Sequence, residues 1–470
     1  MELAGLTKVG DADPNELLYM REEARELWDF LSKRDTRKKL GLIRGPPGSG
    51  KSRVVWSWLC YQSYAYQKNV VWLHLDQSGG VALTSINCEG YANTYLVTEI
   101  GSSNFRSFLE EHPELDIVVV DGITKEGYTS FAQCLLLWCK GKSERQVLIV
   151  TSAHVTIAAE QLQSSGTIIF DMSSWNIDQY RRACTNADFL ARIASFLGEG
   201  FDTDEQISNK HTLAGGCIRW MFGMDAKSAK NDIDAHLLNV SNFEELLQGS
   251  SGGRESTAIN HLQCWYPDAN GKFKPFIVSQ YVLRQLSGKC SLQSVTSCYR
   301  NSMVACNPAL LGWVFELDFL AQLHHLNASH QNMELCNILN ESVTWRVPKV
   351  VRFNSDDYKT IPSAGTYWLI PEKWDQAGYD AVYFEDNLAR MVQVTTTVHR
   401  RNLKLEYFAS LLNTLAENNH RYFENVEVVV VFPNGTEEIT LGSVTGDLRH
   451  WGTSLDPSDF VKFLKLKKSD

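Results

Sequence analysis

From about residue 41 to residue 172, short apolar runs alternate with stretches of helical periodicity. The apolar runs are Leu40–Ile43, Val70–Leu75, Asp116–Val120, Val147–Thr151 and Thr167–Phe170. The helical stretches between them are Ser52–Tyr66, Asn104–Glu111, Tyr128–Lys140 and Val155–Leu162. Continuous apolar strands that alternate with helices are typical of a buried parallel sheet with helices on both faces. The pattern therefore predicts an α/β domain.

Amphipathic helices flank this alternating region. Residues Glu16–Ser32 repeat apolar positions at helical spacing, which predicts a lead helix within residues 1–40. After residue 172 the periodicity is helical again, over Asp188–Leu197, Asp204–His211, Ile218–Phe222 and Ala229–Leu238. We therefore expect one domain over residues 41–247, with a helical lid from about residue 173.

The segment Gln248–Arg254 is rich in Gly and Ser and predicts a linker over residues 248–254. Residues 255–470 then predict a second domain. Its elements are a helix Leu310–His325, a strand Val343–Phe353, strands Tyr367–Ile370, Asp380–Phe384 and Arg390–Thr396, a helix Asn402–Ala416, and a strand Val426–Phe432. The order helix, three strands, helix, strand is the core order of the PD-(D/E)xK nuclease fold of restriction endonucleases.

The sequence Gly45-Pro46-Pro47-Gly48-Ser49-Gly50-Lys51-Ser52 matches the phosphate-loop pattern G-x-x-x-x-G-K-S. Its glycines let backbone N–H groups curl around a phosphate, and the helix start adds the positive end of its dipole. Lys51 is expected to reach the β- and γ-phosphates, and the Ser52 hydroxyl to ligate Mg²⁺. Arg53, the next residue, joins the predicted nucleotide contacts. The alternative is a glycine-rich turn before a helix.

Asp121 ends the apolar run Asp116–Val120 and fits the aspartate that holds Mg²⁺ in this class of protein. Many ATPases place a glutamate directly after that aspartate as the base for the attacking water, whereas this chain has Gly122. Either another group activates water, or hydrolysis is slow and the site acts as a switch. Asp76 and Glu111 are the other nearby carboxylates, and both fit surface positions equally well.

Three polar residues are candidates for sensing the γ-phosphate, and two more are candidate arginine fingers. Thr151 or Ser152 follows an apolar strand, where either a phosphate contact or a helix N-cap fits. Arg219 follows a glycine pair in Gly215-Gly216-Cys217-Ile218-Arg219, which fits a sensor arginine or an ordinary helix boundary. Arg181 and Arg182 are candidate arginine fingers, although a solvated helix face suits each of them better.

Composition limits the class and the compartment. The net charge of −10 excludes a whole-chain basic footprint for nucleic acid, so a DNA contact requires a local patch. The eleven cysteines are an odd number without a C-x-x-C pair, which favours a reducing compartment over disulfides or zinc. The sequence contains no signal-peptide pattern and no membrane-length apolar run, so we expect a nuclear or cytoplasmic chain without a membrane partner.

The second domain has candidate residues for a metal-dependent nuclease. Asp380 opens the second predicted strand, Gln393 lies in the third, and Glu316 lies on the first helix, where such nucleases hold Mg²⁺. The usual lysine position holds Thr395, and His399 or Lys404 is a candidate replacement. A neutral Gln weakens Mg²⁺ binding, so a degenerate site that binds nucleic acid without cutting it is the alternative, and an ordinary strand and helix are another. The basic runs His399–Arg401 and Lys462–Lys468 supply local charge for phosphate contact.

Four stretches of the sequence together carry a family resemblance. They are the phosphate loop, Val-Val-Asp121-Gly122, the Ala-Gly-Gly-Cys-Ile-Arg219-Trp stretch, and Gly378-Tyr-Asp380 followed by Val-Gln393-Val-Thr395 and His399. In this combination the chain resembles the Crinkler effectors of oomycetes and fungi. It is also similar to the retrotransposon hot spot proteins of trypanosomes. The resemblance covers about Leu18 to Phe432.

The resemblance implies a P-loop NTPase coupled to a restriction-endonuclease-like domain, with ATP and Mg²⁺ as cofactors. It also implies a secreted effector that acts on double-stranded DNA in the host nucleus and causes cell death. The ubiquitin-like N-terminal module usual in Crinklers does not appear in this sequence, which fits a truncated chain or an intracellular homologue.

Three hypotheses follow from the sequence. The first is an ATP-driven or ATP-gated DNA endonuclease, with Mg²⁺ at Ser52 and Asp121 and again at Asp380. The second is a nucleotide-switched protein whose C-terminal domain binds DNA or a host protein without cleaving it. The third is a signalling ATPase that forms homo-oligomers.

Overall fold

The structure is a computed structural model of the 470-residue chain. It describes residues 18–33, 40–75, 81–87, 89, 91–97, 100–123, 125–140, 142, 144–152, 166–198, 200, 202–249, 256–303, 307–354, 361–362, 364–373, 378–396, 399–419, 422–434, 440–448, 451 and 456–467. The chain forms two compact units. The first unit is Met1–Val240 with Ser251–Val278, and the second unit is Ser241–Ser250 with Ser279–Asp470. Residues 255–278, assigned from the sequence to the second domain, thus group with the first unit.

The first unit contains a seven-stranded sheet in the order β4-β3-β2-β5-β6-β1-β7. The strands are β1 Leu40–Gly45, β2 Val70–Leu75, β3 Val81–Ile86, β4 Ala92–Val97, β5 Ile117–Ile123, β6 Gln146–Ser152 and β7 Ile168–Asp171. The five strands β2, β5, β6, β1 and β7 are neighbours in this order, and each neighbouring pair among them is parallel. This confirms the predicted α/β class. The sequence analysis missed β3 and β4, which add antiparallel to the β2 edge.

Helices cover both faces of this sheet. They include α1 Glu22–Ser32, α2 Lys51–Tyr66, α3 Ser102–Glu111 and α4 Lys125–Cys139. Val118 and Val120 of β5 pack against α3 and α4, whereas Ile117 and Val119 pack against α1 and α2. Each central strand therefore buries both of its faces, which explains its continuous apolar sequence.

Short helices follow the sheet, as predicted for a lid. They are α5 Ile177–Cys184, α6 Ala187–Leu197, α7 Thr203–Ala214, α8 Ile218–Phe222 and α9 Ala226–Leu238. The first unit ends with α11 Ser256–His261 and a hairpin of β8 Gln263–Pro267 and β9 Phe273–Ile277. The predicted lead helix begins at Glu22, later than the predicted Glu16, and the predicted helix Val155–Leu162 lies outside the described residues.

The second unit contains an eight-stranded mixed sheet in the order β11-β10-β19-β17-β15-β14-β13-β12. The strands are β10 Met333–Asn337, β11 Ser342–Trp345, β12 Val350–Phe353, β13 Tyr367–Pro371, β14 Ala381–Glu385, β15 Leu388–Val394, β17 Asn425–Pro433 and β19 Val461–Leu466, and a separate pair joins β16 His399–Lys404 to β18 Thr440–Thr445. The helices are α10 Phe243–Gln248, α12 Gln280–Leu286, α13 Leu292–Ser302, α14 Pro308–Ser329 and α15 Glu406–Asn419. A short 3-10 helix spans Pro457–Phe460.

The predicted order of one helix, three strands, one helix and one strand is present as α14, β13, β14, β15, α15 and β17. The first three strands pair antiparallel, and β17 pairs parallel to β15. Two predictions differ in detail. The predicted strand Val343–Phe353 is two strands, β11 and β12, on either side of Pro348. The predicted helix from Asn402 begins only at Glu406, because Leu403 and Leu405 are buried around an exposed Lys404, which is the period of a strand.

Among the described residues, no helix has the length and apolar character needed to cross a membrane.

His211 of α7 generates a testable pH dependence. It is 3% exposed, and burial, followed by the charge of Arg181, lowers its pKa to about 3. An unfolded histidine has a pKa near 6.5, so between these values the unfolded chain binds the extra proton and acid destabilises the fold. We expect His211 to cost about 1.4 kcal/mol of unfolding free energy per pH unit below ~6.5. Urea unfolding at about pH 7 and about pH 5 should show a smaller pH slope for His211→Gln, and an unchanged slope would contradict the assignment.

Candidate functional site

The loop after β1 has the curled backbone of a phosphate loop. Gly48 and Gly50 adopt φ of +74° and +95°, conformations that L side chains rarely adopt. The Ser49 N–H donates to Pro46 O at 3.2 Å, which closes the loop, and α2 begins directly at Lys51. Gly45 ends β1 against Met172, where a Cβ would lie 2.8 Å from a carbonyl oxygen. A strand, glycine loop and helix in this order form the nucleotide-binding element of a P-loop NTPase.

Lys51 lies inside this loop. The residue is only 9% exposed, and its ammonium donates to Pro46 O at 3.3 Å. Burial lowers the pKa of Lys51 to about 8, although the nearby Asp121 opposes the shift. The side chain is therefore still mostly protonated at neutral pH, and an anionic ligand would offset its desolvation.

Ser52 and Asp121 meet beside the loop. The Ser52 hydroxyl donates to Asp121 Oδ1 at 3.2 Å, and Asp121 is 4% exposed at the carboxyl end of β5. Ligands of open α/β sheets bind at this end of the strands. A hydroxyl and a carboxylate are oxygen ligands that suit Mg²⁺, so these two residues fit the cation that accompanies a nucleotide.

Gly122 occupies a position that no side chain fits. Its φ is +85°, and a Cβ there would lie 2.1 Å from the Leu75 carbonyl oxygen. The register between β5 and β6 also shifts between Asp121 and Ile123. The absence of a glutamate after Asp121 is therefore a consequence of backbone packing.

His74 is a contact of Asp121 that the sequence analysis missed. Its Nδ1 lies 2.9 Å from Asp121 Oδ2, and its side chain is 34% exposed. The two residues face each other because β2 and β5 are neighbours in register, His74 opposite Asp121. A histidine near the end of an apolar strand is a weak sequence signal, and only the strand order brings it to Asp121.

The two sensor candidates on β6 differ in their surroundings. Thr151 is 1% exposed, and its hydroxyl donates to Ile123 O at 2.8 Å, so it joins β6 to the shifted end of β5. Ser152 is half-buried at the end of the same strand, beside Gly45 of β1. A phosphate contact from Ser152 stays a prediction. Asp76 lies outside the described residues.

Arg219 lies beside the loop because its segment contacts Gly48. The Ile218 N–H donates to Gly48 O at 3.0 Å, and a Cβ on Gly48 would lie 2.2 Å from Cys217 Sγ. After burial, the charge of Arg219 is a further influence that lowers the pKa of Lys51 and of Arg53. The positive charge of Arg219 thus acts on both Lys51 and Arg53, and positive charge near the loop suits a polyphosphate.

The arginine-finger candidates have other partners. Arg181 pairs with Asp204 of α7 at 2.5 Å, and Arg182 is exposed and donates to Asp178 O. No contact among the described residues joins either arginine to the glycine loop.

Arg21 anchors the outer side of the loop and was also missed. It is 3% exposed, donates to Ser49 O at 3.1 Å and lies 4.9 Å from the centroid of the Trp175 ring. Trp175 Nε1 donates to the same carbonyl at 3.2 Å. The other acceptors of Arg21 are Ser173 O, Ser174 O and Gln179 Oε1. One buried guanidinium therefore joins the lead segment, the loop and the chain after β7.

The hairpin of β8 and β9 supports the sensor segment. The Gly216 N–H donates to Val278 O at 3.1 Å, directly after β9. The Tyr266 hydroxyl donates to Trp175 O, and a Cβ on Gly216 would lie 2.8 Å from that hydroxyl. The glycine pair before Arg219 is thus a site of close backbone packing.

In the second unit, Glu316 and Asp380 meet at one cation. Arg284 of α12 contacts Glu316 Oε1 at 2.5 Å and Asp380 Oδ1 at 2.7 Å. The Val394 N–H donates to Asp380 Oδ2 at 2.8 Å, and Gln280 donates to Glu316 Oε2. Burial raises the pKa of Glu316, Arg284 opposes this, and Asp380 adds to it.

The remaining candidates of the second unit are less engaged in this cluster. Gln393 is half-buried, and its Oε1 has no hydrogen-bond partner among the described residues. Lys404 is exposed, with its ammonium 5.9 Å from the Tyr407 ring centroid. Thr395 is 6% exposed and its N–H donates to Val431 O. The side chain of His399 lies outside the description. Within the described residues, no three His, Cys, Asp or Glu side chains cluster as a metal site.

No protein-family model and no curated protein matches the chain. Among solved structures, C. elegans PCH-2 matches with a TM-score of 0.28 and 11% identity over 48% of this chain and 66% of that protein. Cdc6p from Pyrobaculum aerophilum matches with a TM-score of 0.28 and 11% identity, over 71% of this chain and 92% of that protein. The S. cerevisiae Hsp104–ADP complex matches with a TM-score of 0.30 and 11% identity, over 67% of this chain and 42% of that protein. These similarities are too slight to support an argument, so the P-loop NTPase fold rests on the sheet and loop described above.

Arg21→Met should weaken nucleotide binding without touching the nucleotide. The change removes the hydrogen bond to Ser49 O and releases the loop, so we expect about a tenfold loss of affinity, or about 1.4 kcal/mol. Titration with a fluorescent ATP analogue measures it. Arg25→Met, at an exposed arginine in the first turn of α1, is the control. Equal affinity of both variants would show that Arg21 does not position the loop.

Proposed function

We propose that this chain is an ATP-dependent molecular switch. The observation that carries this proposal is the buried Lys51 ammonium within a loop curled by two positive-φ glycines, beside the contact between Ser52 and Asp121. A lysine in a glycine cradle favours an anionic ligand such as a nucleoside triphosphate over a neutral ligand.

Mg²⁺ fits beside this nucleotide. Ser52 and Asp121 would hold it, and the bound ion would neutralise charge on the phosphate oxygens. Lys51 and Arg219 bind and orient the phosphates, while Arg21 and Trp175 hold the Ser49 carbonyl and keep the loop in shape.

The same geometry supports a switch over a motor. The Leu75 carbonyl excludes a side chain at position 122, so no carboxylate base follows Asp121. His74 contacts Asp121, and we assign to it the role of orienting water at this position. Without a dedicated base, we expect turnover on the order of 10⁻² s⁻¹ or below, as in regulated switch proteins.

ATP turnover tests this proposal. Lys51→Ala should abolish turnover, and Arg219→Ala should lower kcat about tenfold because the sensor charge is lost. Phosphate release under single-turnover conditions measures both. Arg192→Ala, at an exposed arginine of α6, is the matched control. Turnover that survives Lys51→Ala would place the NTPase site elsewhere.

For the second unit we propose a restriction-endonuclease-like domain that binds DNA or a protein without cutting it. The order and pairing of α14, β13, β14, β15, α15 and β17 support this relationship. Each carboxylate oxygen of Glu316 and Asp380 accepts a hydrogen bond from the protein, so Mg²⁺ does not fit between them while Arg284 stays in place. The host-effector role and the nuclear location are proposals that rest on the Crinkler resemblance.

One observation favours an active nuclease as the second candidate. Glu316 and Asp380, which the sequence analysis assigned to one site together with Gln393, lie close enough to contact the same guanidinium. Incubation of the full chain with supercoiled plasmid and Mg²⁺, with and without ATP, separates the two candidates. We expect plasmid binding or no interaction, without nicking. Nicking that Asp380→Asn abolishes would establish the nuclease instead.

A further inference from the structure

Arg284 lies between Glu316 and Asp380, the two carboxylates that the sequence assigns to a metal-dependent site. It donates through Nε to Glu316 and through Nη2 to Asp380, so one rigid guanidinium bridges both carboxylates. The other two oxygens accept hydrogen bonds from Gln280 and from the Val394 N–H. Gln280 and Arg284 both belong to α12, which thus supplies the cation and one further donor.

All three side chains of the cluster are largely buried. The exposed fractions of the side chains are 11% for Arg284, 4% for Glu316 and 13% for Asp380. Two carboxylates that are this deeply buried need a positive charge between them. The guanidinium of Arg284 supplies that charge in a fixed geometry. A divalent ion can bind here only when the guanidinium leaves, because both would need the same oxygens.

The helix that carries Arg284 belongs to the second unit and begins two residues after the first unit ends. Val278 is the last residue of that unit and Ser279 continues the second. Ser279 is fully buried and caps α12, with its hydroxyl accepting the Val282 N–H at 3.3 Å. Along the chain, Arg284 therefore follows Val278 by less than two helical turns.

Val278 is fixed to the nucleotide-sensing segment within the first unit. Its carbonyl accepts the Gly216 N–H at 3.1 Å, and its own N–H donates to Leu262 O at 2.9 Å. Two residues beyond Gly216, Ile218 donates to Gly48 of the glycine loop. A shift of this segment when phosphate enters the loop would reach α12 through the Val278–Ser279 peptide.

We propose that Arg284 is a built-in cation that closes the Glu316–Asp380 site to divalent metal, and that nucleotide binding withdraws it by moving α12. This proposal rests on the proposed nucleotide switch and extends it to the second unit. The nucleotide-free chain then has a closed acidic site, and the nucleotide-bound chain has one open to a divalent cation.

Mn²⁺ counting in the full-length chain tests the closed site. Electron paramagnetic resonance gives the number of bound ions per chain. Without nucleotide we expect the wild-type chain to bind no ion at the acidic site, and Arg284→Gln to bind about one. Arg300→Gln, at an exposed arginine of α13, should behave as wild type. The ion gained by Arg284→Gln should disappear when Asp380→Asn is added.

Addition of a slowly hydrolysed ATP analogue tests the link. The wild-type chain should then bind about two Mn²⁺ ions, one with the nucleotide and one at the acidic site, and Asp380→Asn about one. Amide hydrogen exchange in Gln280–Leu286 should become at least about fivefold faster with nucleotide in the wild-type chain and stay unchanged in Lys51→Ala. This second readout needs no change in the second unit, so it remains decisive if Arg284→Gln does not fold.

Two results would overturn the proposal. One is an Asp380-dependent Mn²⁺ ion in the wild-type chain without nucleotide. The other is bound nucleotide with a single Mn²⁺ ion and unchanged exchange in α12. If the fluorescent nucleotide itself fails to bind, the proposed switch fails as well, and that outcome is distinct because nucleotide binding is measured separately.

Discussion

The contact between the glycine loop and the segment Gly215–Arg219 constrains the rest of the first unit. Ile218 donates to Gly48 O at 3.0 Å, and a side chain on Gly48 would collide with Cys217. The loop therefore keeps its curled form while the segment stays in place, and the same contact holds Arg219 beside Lys51. Because Gly216 also binds Val278, one close backbone approach joins the loop, the lid and the end of the unit.

Packing of the backbone also decides the chemistry of the site. The Leu75 carbonyl fixes glycine at position 122 and so excludes the usual base, while the neighbouring strand β2 brings His74 to Asp121 instead. In the second unit, an arginine takes the place of the expected metal ion between Glu316 and Asp380. Each site thus differs by one group from the enzyme site that the sequence predicts.

The sequence predicted the features that depend on local or periodic signals. The central strands were found because parallel strands buried on both faces are continuously apolar, and the glycine loop because its motif is contiguous. The antiparallel strands β3 and β4 were missed because they mix polar and apolar residues. Arg21, His74 and Arg284 were missed because their partners Ser49, Asp121 and Asp380 lie 28, 47 and 96 residues away along the chain. Such pairs depend on strand order and helix placement, which one sequence does not reveal.

The most direct test of the account is the stoichiometry of Mg²⁺–ATP binding measured by equilibrium dialysis. We expect about one ATP per wild-type chain and none for Gly48→Ala, because the new Cβ would lie only 2.2 Å from Cys217 Sγ and the loop would have to shift. Gly271→Ala is the matched control, since Gly271 also has a positive φ of +76° but a Cβ there would meet no atom of the described residues within 4 Å. Loss of ATP binding in Gly48→Ala alone would support the account, and equal binding by Gly48→Ala and the wild-type chain would contradict it.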